Sequence, residues 1–104
     1  MSDFLYDSIG ALITLRQQYA SQAEQQYTKE FNDIIQTKCY DKNRIEKLLD
    51  ALLDFCFDDG ILCLYRRLCR YYNQIDAVAT AEYIYAYRDT WEEYDELKKK
   101  EIYE

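Results

Sequence analysis

Apolar and aromatic side chains recur at Leu5, Ile9, Leu12, Tyr19, Ala23, Tyr27, Phe31 and Ile34, with spacings of three, four and one seven. That period is the helical one, and it predicts a first helix from about residue 3 to about 38, with Ser2 or Asp3 as its N-cap. Unbroken, such a helix is roughly 50 Å long, more than a compact domain of this size is wide, so part of it is expected to overhang. Its middle, from Arg16 to Gln26, is polar and rich in glutamine, which suits a narrow seam better than a broad core face. Gly10, inside the helix, is read as a point of close packing.

The second segment carries the cleanest signal. Ile45, Leu48, Leu49, Leu52, Leu53 and Cys56 keep an i, i+3, i+4, i+7 pattern without an error, after a start signal at Asn43 and Glu46 in a capping-box arrangement, with Asp41 as the rival cap. Asp58, Asp59 and Gly60 then offer a C-terminal glycine and an N-cap aspartate together, predicting a tight turn rather than one kinked helix. A third helix follows over about 60–72, with Ile61, Leu64, Tyr65, Leu68 and Tyr72 on one side and Arg66, Arg67 and Arg70 on the other. Asp76 caps a fourth, whose stripe reads Ala77, Ala81, Ile84, Tyr87, Trp91 and Tyr94 and which closes on Lys98, Lys99 and Lys100, cations suited to the negative end of a helix dipole. Strand periodicity and internal repeats are both lacking. The expectation is one all-α domain over 1–104, a compact bundle of about four helices with a long first helix.

Composition agrees with this and adds little about activity. The 104 residues contain no proline and only two glycines, which removes the usual helix breakers, and a 49% hydrophobic content is enough for a core. The twelve tyrosines carry an apolar ring with a polar tip, chemistry that serves cores and contact surfaces alike. Four cysteines, Cys39, Cys56, Cys63 and Cys69, form no CxxC and meet no histidine, and three of them sit in apolar surroundings, so they read as buried free thiols. No run reaches membrane-spanning length and the first residues lack a basic leader, so a cytoplasmic location without membrane attachment is expected.

A formal charge of −7 repels nucleic acid and favours a protein partner with a basic surface. Asp50, Asp54 and Asp58 are spaced by four, stacking three carboxylates opposite the leucines of the second helix. Their bland role is a solvated face, or ion pairs with Arg66, Arg67 or Arg70 on the next helix. Their functional role is a basic-partner site or, with Glu92 and Asp95, a divalent-metal site. Tyr83, Tyr85 and Tyr87 are spaced by two, so one helix face cannot bury all three; with Tyr71, Trp91 and Glu92 they are the expected contact residues. The three arginines are too few for a phosphate footprint in so acidic a chain.

The catalytic inventory is poor: no histidine, serine only at Ser2, Ser8 and Ser21, and no glycine-rich loop. A non-enzymatic acidic protein-binding module without cofactor is therefore expected. Its profile resembles the small acidic helical inhibitors of phages and mobile elements, anti-CRISPR proteins included, which can block a nucleic-acid channel by presenting carboxylates where phosphates would sit. Two other readings stand beside it: a structural homodimer or antitoxin-like subunit paired through the first helix, and a small metal-dependent nucleotide phosphohydrolase on Asp50, Asp54, Glu92 and Asp95.

Overall fold

The computed structural model describes the backbone of residues 2–103 and the side chains of residues 18–94, 96 and 97. Four helices follow one another, α1 (Ser2–Gln36), α2 (Lys42–Leu53), α3 (Asp59–Asn73) and α4 (Ala77–Tyr103), and among the described residues there is no strand. The all-α bundle with a long first helix is what the periodicity implies. The side chains of Ser2, Asp3, Leu5, Ile9, Leu12 and residues 98–100, and the packing expected at Gly10, lie outside the described residues, but the backbone of α4 continues past the three lysines, where the helix was expected to close, to Tyr103.

Each connection is short and satisfied by its own polar groups. After α1, Lys38 adopts a left-handed conformation (φ 52°), so that Cys39 N–H reaches the Ile34 carbonyl at 3.0 Å and Lys38 N–H the Ile35 carbonyl at 3.3 Å. This is a Schellman termination with lysine where glycine is usual. Asp41, not Asn43, caps α2: its carboxylate accepts from the backbone N–H groups of Asn43 and Arg44. The α2–α3 turn breaks the helix as expected, and Asp58 caps α3 by accepting from Ile61 N–H at 3.0 Å.

Gly60 does not serve as a left-handed C-cap. It lies in the first turn of α3 without a positive φ, where a Cβ would collide with the Glu24 carboxylate of α1. A side chain at this position would have to displace only the flexible end of Glu24, so glycine is favoured here without being demanded. Asp76 caps α4 through Ala79 N–H at 3.0 Å and also pairs with Lys42 at the head of α2.

α3 packs against each of the other three helices and is the centre of the bundle. Its inner side, Ile61, Leu64, Tyr65, Leu68, Cys69 and Tyr72, is buried against Ile45, Leu48, Leu49 and Leu52 of α2 and against Phe31 and Ile34 of α1. At about 25 cal/mol per Å² of apolar surface removed from water, these side chains supply most of the drive to fold. Arg67 lies over the Phe31 ring at 4.8 Å, and Arg44 bridges Glu30 and Asp33, so cations as well as apolar side chains fasten α1 to its neighbours.

Four side chains expected on inward stripes lie elsewhere. Tyr19 is 62% exposed, and Ala20, one residue on, is the buried position, because the packed face of α1 runs through Ala20, Ala23, Tyr27, Phe31 and Ile34. On α4, Ala77, Ile84 and Tyr94 are exposed, while Thr80 is buried and Tyr83 half-buried, so the inward arc is centred on Thr80, Tyr83, Tyr87 and Trp91. That arc is wide because α4 meets two helices. Tyr65 of α3 donates to the Tyr83 carbonyl at 2.6 Å, whereas Trp91 donates its indole N–H to Leu53 at the end of α2 at 2.8 Å. A row of rings, Tyr27, Phe55, Phe57, Trp91 and Tyr94, with neighbouring centroids 5.8 to 6.4 Å apart, runs from α1 across the α2–α3 turn to α4.

Candidate interaction surface

Packing divides the expected contact residues into two groups. Tyr71, Tyr83, Tyr87, Trp91 and Asp58 have internal partners. The Tyr71 hydroxyl donates to the Cys39 carbonyl at 2.8 Å, tying α3 to the α1–α2 connection. Tyr87 stacks obliquely on Tyr65, ring centroids 6.0 Å apart. Tyr83 reaches the Glu46 carboxylate at 3.4 Å and faces Asp50 as well. Burial first, then hydrogen bonding to Asp50, holds the Tyr83 phenol well above the usual tyrosine range. Asp58 is committed to the α3 cap.

The other group, Asp50, Asp54, Tyr85 and Glu92, is exposed. Asp50 and Asp54 stand on the outer side of α2, opposite Leu48, Leu49 and Leu52. The contact of Tyr83 with Glu46 and Asp50 places α4 alongside that side of α2. On α4 itself, Val78, Glu82, Tyr85, Asp89, Glu92 and Glu96 are all exposed, and their alternating spacing of four and three aligns them along one face. The eighteen residue steps from Val78 to Glu96 span roughly 27 Å of helix at 1.5 Å per residue. Sequence reasoning found Tyr85 and Glu92 but missed Glu82, Asp89 and Glu96, whose common heptad register was the available signal.

The cations are distributed otherwise. Lys42 and Arg44 are occupied in ion pairs, while Arg66, Arg67 and Arg70 form no ion pair with any carboxylate among the described residues. The expected pairing with Asp50, Asp54 and Asp58 is thus replaced by contact of Arg67 with Phe31 and by exposure of Arg66 and Arg70 along α3.

No disulfide forms: Cys56 and Cys69 are buried, Cys39 is half-buried, and Cys63 is exposed, correcting the expectation that all four are buried. Cys63 falls between the inward positions Ile61 and Leu64, so its apolar sequence neighbours do not cover it. Burial pushes the Cys69 thiol up to about 11.

Among the described residues, no group of three or more carboxylates or thiols could hold a metal ion. Asp50, Asp54 and Glu92 are solvent-facing, and the side chain of Asp95, the fourth residue of the metal reading, lies outside the described residues. Among them, too, no helix is long and apolar enough to cross a membrane. No protein-family model, no curated protein and no solved structure matches the chain.

Proposed function

We propose that the chain is a non-enzymatic protein-binding module that engages a basic partner through the outer face of α4 together with Asp50 and Asp54 of α2. The observation that carries this reading is Tyr85, 62% exposed in the midst of Glu82, Asp89 and Glu92 on one helical stripe. Such a stripe costs the fold something in like-charge repulsion and returns nothing to the core. In a chain of net charge −7, it attracts cationic surfaces over long range, while an exposed tyrosine supplies a rigid amphipathic anchor at the centre of the contact. A rod of carboxylates also has the form needed to occupy a phosphate-binding channel. Inhibition of a nucleic-acid-binding complex, of the kind mobile elements direct against their hosts, is the specific role we assign.

The test compares the immobilised chain with the triple variant Glu82→Gln, Asp89→Asn, Glu92→Gln, all exposed positions whose neutralisation leaves the core intact. Host proteins with basic nucleic-acid-binding surfaces are expected to be retained by the parent chain, released by salt and displaced by added nucleic acid, and not retained by the variant. Identical retention by both removes the reading. The homodimer reading makes a different prediction, a molecular mass of two chains in light scattering without any partner.

A further inference from the structure

On the side of α4 turned from α2, a cavity of about 390 Å³ lies between α3 and α4. This volume is within the range of roughly 300 to 1,000 Å³ in which small-molecule sites fall. Its α3 wall extends from Leu62 to Asn73, about 16 Å along the helix. Three properties distinguish it from an ordinary crevice.

First, it is graded. Because α4 returns antiparallel to α3, Leu62 and Tyr65 face Tyr87 at one end, an apolar and aromatic corner. At the other end, beside the α3–α4 connection, stand Arg70, Asn73 and Thr80. Cys69 and Ile84 line the stretch between them, with Arg66 one turn before Arg70. Second, no carboxylate among the described residues lines it, in a chain where acidic residues number 20 against 13 basic ones. Third, Arg66 and Arg70 are exposed and in no ion pair with described carboxylates. Two guanidinium groups at i and i+4 present neighbouring forks of N–H donors, suited to a planar oxyanion.

We infer that this groove binds a small amphiphilic carboxylate, its apolar body against Leu62, Ile84 and Tyr87 and its carboxylate between Arg66 and Arg70. A peptide helix fits less well, because its charges would be spread along the whole groove, whereas the polarity here changes from one end to the other. The site lies apart from the acidic stripe and is independent of the function proposed above.

The experiment titrates the isotope-labelled chain with decanoate, below its micelle concentration, and follows backbone amide shifts. Saturable changes are expected at Leu62, Cys69, Asn73 and Ile84. Decylammonium, with the same tail and the opposite charge, should bind at least about ten-fold more weakly, the scale of one charge-assisted contact. The Arg66→Gln/Arg70→Gln double variant should weaken decanoate by a similar factor, and Ile84→Trp, at the exposed lip, should block it while leaving the fold intact. Arg67→Gln, which alters a cation over Phe31 outside the groove, should change neither. Equal binding of the two amphiphiles, undiminished binding by the double variant, or shifts scattered over the surface would overturn the inference. So would binding of a glutamate-flanked leucine-rich helical peptide with none of decanoate, which would mark the groove as a peptide site.

Discussion

Tyr72 donates its hydroxyl to Glu46 Oε2 at 2.7 Å, joining the most deeply buried tyrosine of α3 to a half-buried carboxylate of α2. The other oxygen of that carboxylate is the one Tyr83 of α4 approaches at 3.4 Å. One glutamate thus collects phenols from two helices, where α2, α3 and α4 meet.

Removing the two partners should therefore have unequal effects. Tyr72→Phe keeps the ring and leaves behind an oxygen that water can reach, a loss of about 1 kcal/mol. Glu46→Ala leaves a buried hydroxyl without its acceptor and should cost about 1–3 kcal/mol. Urea denaturation of the two single variants and the double variant measures the coupling, and additive effects would show that the bond contributes nothing.

Alkaline pH should unfold the chain. The phenols of Tyr65, Tyr72 and Tyr83 are all held above the ordinary value of 10.0, in each case chiefly by burial, and Cys69 is raised from 9.0 to about 11. A group whose folded pKa exceeds its unfolded one contributes stability that is complete below the unfolded value and is lost as pH rises toward the folded value. Stability should accordingly decline from about pH 9 as Cys69 begins to count, and more steeply above pH 10 as the phenols do. Helical circular dichroism, followed with tyrosinate absorbance, checks this: Tyr72→Phe should flatten the fall. At the acid end the sign reverses, since Asp76 is held below 3.8 by the Ala79 N–H and by Lys42, and its contribution disappears as pH drops below that value.

Asp58 should behave differently from Asp50 and Asp54 despite their common spacing. Asp58→Ala removes the α3 cap and should cost about 1 kcal/mol in thermal or urea unfolding. Asp50→Asn with Asp54→Asn should stay within about 0.5 kcal/mol of the parent, because both side chains are exposed and an asparagine at 50 can still accept from Tyr83. A comparable loss from the outer pair would show that those carboxylates support the fold.

Lys38 is a site for stabilisation. A side chain in the left-handed region carries a steric cost that glycine does not, so Lys38→Gly should raise stability by about 0.5–1 kcal/mol, whereas Lys38→Ala should not. The midpoint of urea unfolding for the two variants decides it.

The number of helices, the break between α2 and α3, the Asp76 cap and the inner faces of α2 and α3 were legible in the sequence. Each depends on local chemistry: a 3.6-residue period, side chains that cap nearby N–H groups, and the absence of proline. The α2 cap, by contrast, fell to Asp41 rather than Asn43, and Gly60 was not the C-cap. The long polar run of α1 blurred its phase, and Tyr19 was assigned the place that Ala20 holds. On α4, the spacing by two set Tyr83 and Tyr87 on one side and Tyr85 nearly opposite, without deciding which side would be covered. Which of them turns outward depends on where α2 and α3 both meet α4, and that is a property of helices distant in sequence. Tertiary packing gave Tyr83 to Glu46 and Asp50, Tyr87 to Tyr65, and Trp91 to the Leu53 carbonyl, leaving Tyr85 exposed among carboxylates. It also opened the arginine-lined groove, whose walls belong to two helices and which no single periodic pattern contains.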